Sequence, residues 1–138
     1  MNPNPVSQTG MARLLIWWIL WAGILAGLVA IYAALEMRPL SDQAQPHAVT
    51  DFIGLGPLLV SCLVRWLVLP RVRQLQTAFV LFILGLALAE ACGLLGIFLS
   101  TYKHELFVLG VLGLVQWVPV FARTYFEPGA ADFQPPQN

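Results

Sequence analysis

The sequence predicts an all-α integral membrane protein, a bundle of four transmembrane helices with both termini in the cytoplasm. Three observations carry that prediction. Of 138 residues, 59% are hydrophobic and 10% charged, which excludes an ordinary water-facing surface. Apolar runs of about 20 residues recur along the chain, the length at which a helix crosses a hydrocarbon core. The basic residues fall unequally on the two sides that four crossings would create.

The first 13 residues form a polar N-terminal segment with a lone Arg13. The run that follows, about 14–35, is too long and too rich in Trp for a signal peptide, so it is read as a retained first span. The second span runs over about 52–69 and stops at Pro70, which a helix interior resists. The third covers about 77–100 and holds one charge, Glu90, close to its middle. The fourth covers about 105–123, with Pro119 in its final turn. These spans make one transmembrane domain over 14–124. From residue 125 to 138 the chain is rich in Pro, Gly and polar residues and reads as a disordered tail.

Orientation follows from the arginines. Four crossings put Arg13, Arg65, Arg71, Arg73 and Arg123 on one side and Arg38 with Lys103 on the other. Basic residues stay on the cytoplasmic face, and a bacterial inner (plasma) membrane is the expected location of this multi-pass chain. All five Trp residues, at 17, 18, 21, 66 and 117, then fall toward the cytoplasmic boundary, where ordinary interfacial anchoring is the expectation. Seven basic and seven acidic side chains cancel, leaving no positive field for nucleic acid. The expected partners are the lipid bilayer and either a second copy or other membrane proteins.

Small residues mark candidate packing faces. Gly23 and Gly27 stand four apart in the first span, and Gly85, Ala89 and Gly93 do so in the third, with Gly96 continuing the stripe. Gly110 and Gly113 mark the fourth. Such residues let backbones approach where lipid supplies no hydrophobic drive between helices. They either hold one monomer together or face a second copy.

Chemistry could live at mid-depth, where Ser61, Glu90 and Gln116 fall. A charge there costs about 2.5–3.5 kcal/mol to insert, so an ionisable residue usually faces protein or water and often acts. A Glu90–Gln116 hydrogen bond is the simplest way to satisfy both groups. Arg65 either extends toward Glu90 or snorkels to the headgroups, and snorkelling is the easier course. Cys62 and Cys92 sit in apolar runs, so no disulfide framework is expected. Ser61 and Cys62 lack a histidine on their side to serve as base. His47 and His104 have no ligand spacing and read as solvated loop residues. No enzyme activity, metal or cofactor is expected.

The stretch Gly85-Leu86-Ala87-Leu88-Ala89-Glu90-Ala91, followed by Gly93 and Gly96, resembles the carboxylate-bearing helix of the rotary ATP synthase proteolipid, the c subunit family. Arg73-Gln74 before it resembles the start of that family's polar loop. The resemblance implies that Glu90 corresponds to an acid that takes up and releases protons. It is confined to this helix and the loop before it.

The leading expectation is a non-enzymatic scaffold, assembly or regulatory component of a membrane complex. The alternative is a proton- or cation-coupled transport component using Glu90, with Gln116, Ser61 and Arg65 as its polar neighbours.

Overall fold

The computed structural model describes residues 5–36, 53–100 and 102–125. The expected tail from 126 onward, the segment 37–52 with His47, and the first four residues lie outside them. Among the described residues the chain is helical apart from short turns and connections, and has no strand. Helix α1 spans Pro5–Glu36, α2 Leu55–Leu63, α3 Leu75–Leu99 and α4 Lys103–Val115. The polar residues before Arg13 therefore belong to a helix from Pro5 on. Three stretches are long and apolar enough to cross a membrane: Arg13–Glu36, Leu75–Leu99 and Lys103–Tyr125.

The second helical stretch departs from the expected uniform span. After Leu63 the chain widens into a π turn over Val64–Val68, where Leu69 N–H bonds to Val64 O five residues back. It then tightens into a 3₁₀ turn over Leu69–Arg71, closed by Val72 N–H on Leu69 O at 3.1 Å. Pro70 supplies the reason: it has no N–H, and its ring presses on the carbonyl four residues back, so a regular α ladder cannot run through it.

The fourth stretch breaks for the same reason. Pro119 cannot donate, and the residue before a proline is pushed out of the α region. The α-helix ends at Val115, and Trp117 N–H turns to Leu114 O at 3.0 Å. A 3₁₀ helix, Pro119–Tyr125, completes the element. Pro119 is thus the site of a break, where a continuous helix was expected.

The core forms where α3 meets its neighbours, most extensively α4. A connection of only three residues, 100–102, makes α3 and α4 antiparallel neighbours. Glycine lets their backbones touch: a Cβ at Gly110 would lie 2.7 Å from the Gly93 Cα. A Cβ at Gly113 would lie 3.1 Å from Ala89 Cβ, and one at Gly96 would run into Leu106 Cβ. On the other flank α1 buries Leu28 against Gly93, and stacks Trp17 on Phe82 at 4.8 Å.

The two ends of the bundle differ in charge. Arg13 shares a cleft with Leu75, Gln76 and Phe79, and Arg65 shares another with Arg73 and Tyr125, so these arginines gather at the end where α3 begins. At the opposite end Tyr32 stacks on Phe107 at 3.9 Å and bonds to His104, with Glu36 3.8 Å from the same ring.

Candidate functional site

The break in the fourth stretch leaves backbone carbonyls in apolar surroundings, and side chains from other elements satisfy them. Trp21 of α1 donates its Nε1–H to Leu114 O at 2.8 Å. Arg65, in the π turn, donates from Nε to Gln116 O at 3.0 Å. The end of α4 is thus capped from two directions.

Close to this cap lies a buried polar triad. Trp117 donates its indole N–H to Ser61 Oγ at 2.8 Å, and Ser61 donates to Gly85 O at 2.8 Å. Trp117 and Ser61 are both fully buried. Gly85 makes the arrangement possible, since a Cβ there would run into the Trp117 ring. Gln116 lies beside the triad, accepting from Trp66 Nε1 at 3.3 Å and donating to Cys62 Sγ at 3.4 Å.

The Arg65 guanidinium rests in an aromatic setting. Its Cζ is 4.4 Å from the Phe121 ring centre, 5.7 Å from Trp117 and 5.8 Å from Trp66. Cation–π contacts of this kind contribute about 0.5–2 kcal/mol, more when water is excluded. Beyond the rings the guanidinium opens into a cleft of about 400 Å³ that Arg73, Thr124 and Tyr125 also line.

Of the residues singled out from sequence, the structure brings Ser61, Arg65 and Gln116 into one neighbourhood. Glu90 is elsewhere. It sits about 100° around α3 from Ala89, whose side faces Gly113 of α4, so it points along the rim toward α1. It is partly buried and makes no hydrogen bond or ion pair among the described residues. The expected Glu90–Gln116 bond is not formed, because the end of α4 turns Gln116 toward Cys62 and Trp66. Arg65 likewise points to Gln116 O and the cleft.

The small residues divide in the same way. Gly85, Ala89, Gly93, Gly96, Gly110 and Gly113 lie in the α3–α4 contact and its flanks. Gly23 and Gly27 do not: nothing lies within 4 Å of a Cβ built at either.

Aromatic anchoring does not describe all the tryptophans. Trp66 is 68% exposed, but Trp17 is 3% exposed and Trp117 not at all. Sequence reasoning missed Trp117 and Trp21 as hydrogen-bond donors. The available signal was Pro119, which frees carbonyls in an apolar stretch and so requires donors nearby.

Compared with protein-family models, with curated proteins and with solved structures, the chain matches none.

Proposed function

We propose that this protein is a non-enzymatic, multi-pass component of a bacterial inner membrane that assembles with itself or with other membrane proteins, α1 supplying the docking face. The observation that carries this reading is the imbalance in packing. Only 11% of the apolar window of α1 is buried, against 39% in each of the other two long stretches. The uncovered side is where Ala22, Gly23, Ala26 and Ala30 lie exposed. A small-residue surface offers lipid few contacts and a second helix a close approach. The gathering of arginines at one end of the bundle supports cytoplasmic termini. Ser61, Trp117 and Gln116 are engaged with neighbouring side chains and backbone carbonyls, which favours a structural task for them over a catalytic one.

Cross-linking in native membranes tests the reading. Gly23→Leu combined with Gly27→Leu should abolish higher-mass adducts while leaving the melting transition of the purified chain in place. Adducts that persist unchanged overturn it.

A second reading has its own support. Glu90 is partly buried and unbonded among the described residues, which supports reading it as a carboxyl that exchanges a proton or cation. On this reading the likeness of its helix to the proteolipid reflects shared chemistry. Proton flux through reconstituted protein should fall in Glu90→Gln; equal flux removes the reading.

A further inference from the structure

We propose that the cleft between the π turn and the C-terminal 3₁₀ helix binds the phosphate of an anionic phospholipid headgroup. Two cations, Arg65 and Arg73, line this cavity of about 400 Å³, and no acidic side chain lines it among the described residues. Arg65 is half-buried and held in place by its Nε bond to Gln116 O and by three aromatic rings. Its terminal Nη groups carry no protein acceptor among the described residues. A partly desolvated guanidinium with its fork unoccupied is costly, and a phosphate matches that fork with two parallel hydrogen bonds.

The walls of the cleft are fixed. Tyr125 donates its hydroxyl to Val72 O at 2.9 Å, tying the 3₁₀ helix to the turn before α3. Thr124 donates to Phe121 O at 2.7 Å. With both hydroxyl protons engaged, recognition falls to the two arginines, and their requirements are met by an anion carrying several acceptor oxygens.

The surroundings favour lipid over free phosphate as the source. The two elements that carry the cleft also expose apolar side chains, Trp66, Leu67 and Val68 from the π turn and Val120 from the 3₁₀ helix. Apolar side chains on the same elements suit acyl chains, as free phosphate would not require. Arg71 and Arg123 at the same end are exposed and do not line the cleft.

Native mass spectrometry of the full chain in neutral detergent, titrated with phosphatidylglycerol, phosphatidylcholine or inorganic phosphate, tests the proposal. Phosphatidylglycerol should be retained. Arg73→Gln, on an exposed side chain, should weaken it about tenfold, as loss of a charge-assisted hydrogen bond does. Arg65→Lys, which keeps the charge and loses the fork, should weaken it similarly, with the melting transition reporting that the fold persists. Arg123→Gln removes the same charge from the same end and should leave retention unchanged. Equal losses in Arg123→Gln and Arg73→Gln would mean diffuse attraction and overturn the site. Competition by inorganic phosphate with no lipid retained overturns the lipid source. Retention only after removal of residues 126–138 assigns the cleft to the chain's own acidic tail and also overturns the proposal.

Discussion

Trp117 donates its indole proton to the Ser61 hydroxyl across 2.8 Å, and that hydroxyl donates its own proton to the carbonyl of Gly85. One hydroxyl thereby joins three segments inside an apolar core. The arrangement exists because Pro119 ends α4 early, which swings Trp117 inward, and because Gly85 leaves room for its ring.

Removing the hydroxyl and removing the indole donor should each destabilise the bundle. In Ser61→Ala a buried N–H loses its acceptor, a loss of about 1–3 kcal/mol; Trp117→Phe deletes the donor itself but leaves a gap beside Phe82. The double variant should lose less than the sum of the two singles, because they share one bond. Thermal unfolding in detergent measures all three.

Adding a methyl group should separate the glycines into two classes. Gly85→Ala forces Trp117 aside, and Gly110→Ala meets the backbone of Gly93, which cannot rotate away. Each should destabilise the bundle by about 1–3 kcal/mol. Gly23→Ala and Gly27→Ala meet nothing and improve helix propensity, so their melting temperatures should hold or rise slightly. Matching losses at all four positions would contradict the packing described.

Trp21→Phe keeps an aromatic ring on α1 but withdraws the cap from Leu114 O. A loss of about 0.5–1.5 kcal/mol is expected, with faster amide exchange at Trp117, whose N–H shares that carbonyl. Exchange that stays at the wild-type rate would show the cap to be dispensable.

Thiols placed at Lys103 and Arg123 should report opposite sides of the membrane. These positions lie at opposite ends of the Lys103–Tyr125 stretch. With cytoplasmic termini, an impermeant reagent on intact cells labels position 103 and spares 123. The reverse pattern inverts the topology.

Helix content and the apolar stretches were legible because hydropathy and length report them directly. The breaks were half legible. Pro70 and Pro119 were visible as obstacles, but how a chain detours around a proline depends on which donors reach the freed carbonyls. At the Pro119 break those donors, Trp21 and Arg65, come from distant sequence. Spacing also has a limit as a guide. Gly23 and Gly27 share the four-residue period of Gly85, Ala89 and Gly93, yet only the α3 set is in contact. A four-residue repeat tells which side of a helix can be approached, and the partner decides whether it is. For Glu90, position along the helix was readable and its angle around the axis was not, since that angle is set by how α3 docks on α4.

The sparse burial of α1 bears on the order of assembly. This helix leaves the ribosome before α3 and α4, so the residues that receive it, Phe79, Phe82, Gly93 and Phe121, are made later. The α3–α4 hairpin has its contacts close in sequence, whereas α1 makes its contacts only with residues far along the chain. Nascent chains halted before Phe121 should therefore show no cross-link between Leu28 and Gly93 positions, and completed chains should form it. If α1 is the docking face proposed above, its open small-residue side is available to another molecule during that interval, and recruitment would precede folding.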